Sequence, residues 1–289
     1  MTIRFWSSIV FSVAVVAGFS MAPTPAVAQG AAKGGAKGAA RAVPADPRQS
    51  LAVPRLANGK PDFSGVWDHS RVPDMAKSSP DGVCVAGSYG CKSISSGPLP
   101  YTPAGLKAND QSLKFDYTAV CLPWGYTRSW NGLYPNQIIQ SPDFLGMMFE
   151  QNNNFKIIYT DGRPMPKDPE PTWMGTSVGH WEGDTLVVES AGFHDQLWLD
   201  TGVDNDDPRA APHITTDAMR ITEHISRPDF THLNYEVKIE DPNLYTGPIT
   251  NTRVFVLMKP GQDVMEFSCE ENNKEVTEGH LRDIGTKKK

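Results

Sequence analysis

Apolar and polar positions divide the chain into a loop-rich first half and a second half of short strands. After Pro135, runs of strand length alternate with turn signals such as Ser141-Pro142-Asp143 and Lys259-Pro260-Gly261. Short strands with short connections are typical of an antiparallel meander, because parallel strands need crossovers of a dozen or more residues. The predicted strands of this meander are residues 137–141, 145–151, 155–160, 176–181, 185–190, 219–226, 233–239, 253–258 and 264–269.

A meander with this many strands must close on itself or cover its edges. We therefore predict a mainly β protein in which residues 136–280 form an antiparallel up-and-down barrel resembling lipocalins, with a β-sandwich as the alternative. Residues 55–135 have no sustained periodicity and are predicted to form a loop-rich arm packed on the barrel, followed at the other end by a tail, 281–289. Within the arm we expect a strand at 63–67 and a helix at 102–114, capped by Thr102.

Alternation assigns side chains to the two faces of each strand, since neighbours along a strand point in opposite directions. Glu223 falls on the same face as the apolar residues of its predicted strand. A carboxylate among apolar side chains needs a partner or a raised pKa, because burying an unpaired charge is costly. Glu223 is therefore either a functional acid–base group or one half of a buried ion pair, with Arg163 or Arg253 as its cation.

The first residues carry the pattern of an export signal. Arg4 precedes an uncharged apolar run over residues 5–22, and Ala26-Val27-Ala28 offers small residues for cleavage. We predict a signal peptide over residues 1–28 and a periplasmic or secreted mature protein. Residues 29–54 are rich in Gly, Ala and Pro and are predicted to be a flexible linker.

Charge and cysteine content are consistent with that location. The net charge of −6 and the absence of a basic cluster in the body of the chain argue against nucleic acid and anionic membrane as partners. Four cysteines in an oxidising compartment favour disulfides, whose connectivity a sequence does not fix. Cys84 and Cys91 bracket a short loop with two glycines, which would leave Cys121 to pair with Cys269.

Tryptophans, histidines and acids gather in residues 172–200 and in the polar connection that follows. A histidine beside a carboxylate is the minimum for acid–base work near neutral pH, and tryptophan rings stack on apolar ligands. The candidate catalytic residues are His180, His194, Asp195 and Glu223. The candidate substrate-binding residues are Arg163, Trp173, Trp181, Trp198 and Tyr235.

No cofactor is predicted, because no glycine-rich phosphate-binding motif follows a predicted strand. A metal site is the alternative for the same polar connection, since histidine and carboxylate are ordinary metal ligands. Its ligands would be His194, Asp200 and His213, which have no diagnostic spacing.

Short motifs spread over nearly all of the mature chain resemble a group of exported, largely uncharacterised bacterial proteins of acidobacteria and soil proteobacteria. The motifs are RLANGKPDFSGVW at 55–67, CLP at 121–123, DGR at 161–163, WEGDT at 181–185, WLD at 198–200 and ITE at 221–223. The resemblance implies export and implies no particular activity. Members of that group carry Glu-Arg where this chain has Glu223-His224, so no arginine-based role is carried over to position 224.

These observations predict a cofactor-independent enzyme of lyase or isomerase type, which acts on a small aromatic or hydrophobic molecule by general acid–base catalysis. A non-catalytic, lipocalin-like small-molecule carrier is the first alternative. A metal-dependent enzyme and a structural envelope protein with an aromatic core are the others. In each case we expect no insertion into a membrane after the signal peptide is removed.

Overall fold

The computed structural model describes residues 46–111, 116–195, 197–200, 212–271 and 273–274. All of them belong to the compact unit formed by residues 43–289. The predicted signal peptide, the predicted tail and residues 29–45 of the predicted linker lie outside the described residues. Within the described part, no helix combines the length and apolar character needed to cross a membrane.

The described residues form one sheet of eleven strands, nine of which close into a barrel. The barrel follows the order β1-β4-β5-β6-β7-β8-β9-β10-β11, and β11 pairs back with β1. The hairpin β2–β3 extends the sheet from β11. The strands are β1 Gly65–Asp68, β2 Ser79–Val83, β3 Tyr89–Ser95, β4 Asn136–Gln140, β5 Phe144–Phe149, β6 Asn154–Tyr159, β7 Thr176–Glu182, β8 Thr185–Ala191, β9 Arg220–Ser226, β10 His232–Glu240 and β11 Ile249–Leu257. The predicted barrel is thus confirmed.

Neighbouring strands in the barrel run antiparallel, with one exception among the described residues. Strands β6 and β7 pair in parallel through Ile158 with Ser177 and Tyr159 with Val178. The connection of residues 160–175 is long enough to bring the chain back to the end at which β6 began, which an ordinary hairpin turn does not do. The first half of β6 has no pairing with β7, and Lys156 in that half donates instead to the carbonyl of Met174, two residues before β7.

The N-terminal arm is part of the barrel as well as a cover for it. Its strand β1 pairs with both β4 and β11 and so closes the wall, although the sequence predicted the barrel to begin only at residue 136. Its hairpin β2–β3 was not predicted, because Gly and Pro interrupt the apolar alternation there. At the described end of the predicted linker, Arg48 donates to the carbonyls of Leu257 and Met258 at 3.0 and 2.9 Å.

Two α-helices lie in the arm. Helix α1 spans Pro103–Gln111, and the hydroxyl of Thr102 accepts a hydrogen bond from the amide of Gly105 at 2.8 Å, which confirms the predicted cap. Helix α2, Tyr126–Trp130, is a single turn that sequence periodicity cannot reveal. The described residues also contain 3-10 turns at Pro47–Ser50, Tyr117–Val120 and Gln151–Asn153.

The predicted strand at 264–269 was wrong, because this segment contains no strand. Its amide groups bond side chains instead of a strand ladder. The amide of Met265 donates to Glu150 Oε2 at 3.0 Å, and that of Phe267 donates to Asn153 Oδ1 at 3.1 Å. A disulfide between Cys121 and Cys269 ties the same segment to the arm, and a second disulfide joins Cys84 to Cys91. Both are the pairs favoured by the sequence.

The barrel interior is filled by side chains from the strands and from α2. As predicted, the apolar face of β10 points inward, so that Leu233 and Tyr235 are buried. Trp130 enters from α2 and stacks on Phe255 with ring centroids 5.0 Å apart, and it also packs against Tyr235 at 5.2 Å. Helix α2 therefore acts as a plug that supplies the centre of the hydrophobic core.

Replacing Trp130 by Ala is expected to destabilise the protein by about 3–5 kcal/mol, since the substitution leaves a large cavity among rings that cannot collapse. Urea denaturation followed by circular dichroism measures the loss. Phe155→Ala is the matched control: Phe155 is 64% exposed on the outer face of β6, so its loss should cost less than about 1 kcal/mol. Equal losses of stability in the two variants would contradict the role of α2 as the centre of the hydrophobic core.

Candidate functional site

Glu223 lies at the centre of the barrel. It is 0% exposed on β9, as the alternation predicted. Its Oε1 accepts hydrogen bonds from the hydroxyls of Tyr126 and of Tyr235, the latter at 2.7 Å. Its Oε2 has no hydrogen-bond partner among the described residues. Burial raises the pKa of Glu223, and the charge of Lys156 and the two tyrosine hydroxyls oppose that rise.

The two tyrosines reach Glu223 from different elements. Tyr126 begins α2, whereas Tyr235 stands on β10, where Val237 is the residue directly opposite Glu223. Burial raises the pKa of both phenols well above the ordinary value, and the charge of Glu223 adds to the rise. Both hydroxyls therefore stay protonated and serve as donors, which holds the carboxylate in one orientation.

Lys156 completes this cluster from β6. Its side chain points inward and is 2% exposed, and Nζ donates to the carbonyl of Met174 at 2.9 Å. Nζ also lies 3.5 Å from the ring centroid of Tyr126, close enough for a cation–π contact. Burial lowers the pKa of Lys156 to about 7, against the opposing charge of Glu223.

Sequence reasoning missed Lys156 because the pattern of β6 favours the opposite orientation. Three apolar residues, Phe155, Ile157 and Tyr159, alternate with Lys156 and Ile158. The larger apolar set would ordinarily face the core, but here Lys156 and Ile158 are buried and Phe155 is exposed. No pattern within the strand reveals this, because both faces carry apolar residues.

Arg253 is the second buried cation of the interior. It is 4% exposed on β11, and burial lowers its pKa. Its Nε donates to Asn251 Oδ1 at 2.8 Å and its Nη1 to the carbonyl of Trp130 at 3.2 Å, while Nη2 contacts only the sulfur of Met75 at 3.5 Å. Among the described residues it forms no ion pair with Glu223, and neither does Arg163, so the predicted buried salt bridge is not found.

A small void lies beside these groups. Its volume is about 10 Å³, and Arg253, Tyr235, Trp130 and Met75 are among its lining residues. This space holds about one water molecule. In the described part of the interior, α2 and the aromatic rings occupy the volume that a ligand chamber of the lipocalin kind would need.

The other predicted catalytic residues are not brought to Glu223. His180 points outward and pairs with Glu182 at 3.3 Å, because the neighbouring Trp181 takes the inward position on β7. The ring of His194 lies 5.0 Å from that of Trp173, and its amide donates to the carbonyl of Thr172. Asp195 is exposed. Among the described residues none of the three contacts Glu223.

The predicted ligand-stacking tryptophans pack on the protein itself. Trp198 and Trp124 lie on the guanidinium of Arg128, at 4.5 and 4.6 Å, while two oxygens of Asp116 bind that guanidinium. Trp173 packs on Tyr117 at 5.6 Å.

Two further predicted binding residues also have protein partners. Trp181 packs against Phe63, with ring centroids 5.5 Å apart. Arg163 is exposed, forms an ion pair with Asp161 at 2.6 Å and covers the ring of Tyr159. Of the predicted binding residues, only Tyr235 joins Glu223.

A histidine–carboxylate pair does form, but from Asp200 and His213. His213 Nδ1 lies 2.5 Å from Asp200 Oδ2, and Asp74 Oδ1 lies 3.9 Å from the same nitrogen. Hydrogen bonding and the charge of Asp200 raise the pKa of His213 against the effect of burial. The pair is next to the luminal cluster, since Asp200 Oδ2 also accepts from the amide of Met75 at 2.9 Å.

The sequence offered a metal site built from His194, Asp200 and His213 as an alternative. In the structure Asp74, and not His194, lies beside Asp200 and His213. Ligand atoms of Asp74, Asp200 and His213 lie within 4.8 Å of one another. Both oxygens of Asp200, however, already accept hydrogen bonds from His213 or Met75. The donor set therefore fits a hydrogen-bonded acid–base pair better than a metal centre.

Residues 175–179 read Gly-Thr-Ser-Val-Gly and fit the GxSxG pattern of hydrolase nucleophiles. In the structure Ser177 stands within β7, 1% exposed, with its hydroxyl 2.8 Å from that of Ser190. A nucleophile elbow requires a sharp strand-to-helix turn. Ser177 is thus part of the barrel core and not a nucleophile.

A wide cleft lies outside the barrel. Its volume is about 890 Å³, and its lining includes Arg48, Tyr89 and His232. His232 Nδ1 lies 2.9 Å from Asp229, but Asp229 also accepts from the amide and hydroxyl of Thr231. The turn before β10 accounts for the contact between His232 and Asp229. It does not account for the burial of Glu223 in the lumen. We therefore place the candidate site in the lumen despite the size of the outer cleft.

No protein-family model matches this chain, and no curated protein matches its sequence. The side chains in the barrel are accordingly the basis for a functional proposal.

The lowered pKa of Lys156 predicts a specific pH dependence of stability. Native Lys156 loses its proton near pH 7, whereas the unfolded side chain has the ordinary pKa of 10.5. From pH 7 to pH 9 the unfolded chain binds more protons, so this group makes the free energy of unfolding rise by up to about 1.4 kcal/mol per pH unit. Urea denaturation across this range should show the rise in Glu223→Gln and not in Glu223→Gln combined with Lys156→Met.

The Glu223→Gln background is needed because Glu223 titrates with the opposite sign. Its raised pKa contributes stability below its unfolded pKa of 4.5 and loses that stability as the pH rises through the folded value. Lys238→Met, at an exposed lysine of β10, is the matched control and should keep the rise. A rise that survives Lys156→Met would show that another group causes it.

Proposed function

We propose that this protein is an exported, cofactor-independent enzyme of lyase or isomerase type, and that Glu223 transfers the proton in its reaction on a small aromatic molecule. The observation that carries the proposal is the free oxygen of Glu223. A fully buried carboxylate with an unbonded oxygen costs about 1–3 kcal/mol, more for a charged group, and an apolar residue of similar size would avoid that cost. Buried carboxylates with shifted pKa values are concentrated at functional sites.

The surrounding side chains suit a proton-transfer role. Tyr126 and Tyr235 hold Oε1 and leave Oε2 for the substrate. The raised pKa of Glu223 brings its proton affinity closer to neutral pH, where a general base is most effective. Lys156, with a pKa of about 7, stabilises the carboxylate form when it is charged. Tyr126 contacts both groups, through its hydroxyl and its ring face.

Aromatic rings around the cluster support the proposed substrate class. Tyr126, Trp130, Phe149, Tyr235 and Phe255 pack together through ring contacts between 5.0 and 6.3 Å. A substrate ring would replace some of these contacts with equivalent ones. Since the void has a volume of only about 10 Å³, binding requires a displacement of α2 or of Met75.

Helix α2 is the element best placed to move. It has only five residues, and side chains at both of its ends bind the chain before Asp200. Thr127 Oγ1 donates to the carbonyl of Trp198 at 3.0 Å, and Asn131 Nδ2 donates to that of Leu199. The Asp200–His213 pair stands at the same end of the barrel. We assign to this pair the exchange of protons between the lumen and the surface.

A lipocalin-like carrier is less well supported, because such proteins hold their ligand in a preformed chamber and this lumen is packed. A carrier also does not explain why Glu223 and Lys156 are buried together. The outer cleft near His232 remains available to a binding function and gives no reason for the luminal charges.

The proposal predicts that Glu223→Gln lowers turnover by a factor of about 10²–10⁴, the usual contribution of a positioned acid–base group. The assay is hydrogen–deuterium exchange, followed by proton NMR in D₂O, over a panel of small aromatic acids, ketones and phenols incubated with the mature protein. A carbon-bound proton that exchanges or a bond that breaks identifies the substrate. Thermal unfolding of Glu223→Gln should occur below the wild-type temperature but still as one cooperative transition, because the variant leaves the buried Lys156 without its carboxylate.

Two control variants separate catalysis from general damage. Glu236→Gln changes a carboxylate on the outer face of β10 and should leave turnover unchanged. His194→Ala removes a sequence candidate that the structure places away from Glu223, and it should also retain turnover. Full activity of Glu223→Gln on the identified substrate would refute the proposal.

A further inference from the structure

We infer that the ligand of the lumen carries a carboxylate, that Arg253 binds this group, and that Met75 takes its place in the closed form. The inference rests on the proposed function for the ligand's position in the lumen and adds its chemical class. Binding of a carboxylate at Arg253 can be measured whether or not turnover is observed.

The first support is the hydrogen bonding of Arg253. A guanidinium has five N–H donors in a planar fork that matches the two oxygens of a carboxylate. Arg253 uses Nε on Asn251 and Nη1 on a carbonyl, and among the described residues no carboxylate bonds to it. Its Nη2 contacts the thioether of Met75, which is a weak acceptor. A buried guanidinium in this state has N–H groups left for a stronger acceptor.

The second support is the set of polar atoms beside the void. Arg253, Trp130 and Asn131 all line it. Trp130 Nε1 is buried and has no hydrogen-bond partner among the described residues. Buried polar atoms in proteins are nearly always bonded, so a group that meets Arg253 here gains further contacts. The indole N–H adds a second donor for a carboxylate oxygen.

The third support is the charge of the cluster. Around Tyr126 and Tyr235, Arg253 and the protonated form of Lys156 accompany one carboxylate, Glu223, which two phenols already bind. Buried cations are expensive unless they are paired. A ligand carboxylate at Arg253 leaves Glu223 free for proton transfer and balances the second cation.

Met75 lies between Arg253 and the Asp200–His213 pair. Its amide bonds Asp200 Oδ2, and Asp74, next in the chain, lies beside His213. Its side chain is 0% exposed and ends on Arg253 Nη2. Methionine is unbranched and adapts to new shapes at low cost, so a rotation of this side chain opens a path from the Asp200–His213 pair to Arg253. Arg163, the arginine that the sequence predicted to bind substrate, is on the outer surface.

Isothermal titration of the mature protein with sodium benzoate tests the inference, with benzamide as the neutral probe of equal shape. We expect benzoate to bind the wild type and benzamide to bind at least about tenfold more weakly, since the amide lacks the charge that pairs with Arg253. Met75→Ala should bind benzoate about tenfold more tightly, because the side chain no longer competes for the guanidinium. Arg253→Lys should lose the preference for benzoate, since an ammonium lacks the planar fork.

Equal binding of the two probes to both the wild type and Met75→Ala would overturn the inference, and that comparison stands even when Arg253→Lys does not fold. Met265→Ala, at a methionine that is 69% exposed outside the barrel, is the matched control and should bind benzoate like the wild type. Glu223→Gln removes a negative charge that interacts with Arg253, so this variant should bind benzoate at least as tightly as the wild type. Carboxylate binding without turnover on any substrate would therefore reject the proposed function alone, and turnover with equal binding of both probes would reject the carboxylate site alone.

Discussion

The burial of a carboxylate in a closed barrel is the constraint on which the arrangement of the interior depends. Glu223 has no access to water, so the protein must supply both hydrogen bonds and compensating charge. Two phenols and the ammonium of Lys156 provide them. Each of these groups is polar and lies among apolar side chains. The free-energy cost of burying each one is offset by its contacts with the others. The cluster is consequently a single unit, in which the loss of one member changes the pKa of the rest.

Barrel closure provides the low-dielectric environment that shifts these pKa values. Strand β1 completes the wall between β4 and β11, and α2 fills the lumen with Tyr126 and Trp130. The arm and the strands thus make one core, since the rings of α2 pack on β5, β10 and β11. The Cys121–Cys269 disulfide adds a covalent tie between the segment before α2 and the C-terminal segment. The same short helix that stabilises the core also closes the proposed site.

The two ends of the candidate site follow different physical rules. In the lumen, burial dominates, so the pKa of Lys156 falls and that of Glu223 rises. At the Asp200–His213 pair, burial is again the largest single effect and lowers the pKa of His213, but the hydrogen bond to Asp200 and the charges of Asp200 and Asp74 together outweigh it, so the pKa rises. Met75 connects the two ends, with its amide on Asp200 and its sulfur on Arg253.

The sequence by itself predicted a barrel over a sandwich, the inward direction of Glu223 and Tyr235 and the cap at Thr102, because these follow from strand alternation, turn spacing and local capping. It favoured the observed cysteine pairs without fixing them, since Cys121 and Cys269 lie 148 residues apart. Only the tertiary structure decided that Lys156 faces inward, since both faces of β6 are apolar enough to be buried. It also placed α2 inside the barrel and joined Asp200 to His213 in preference to His194. Those outcomes depend on contacts between residues far apart in the chain, and periodicity within one strand carries no information about which distant segment covers it.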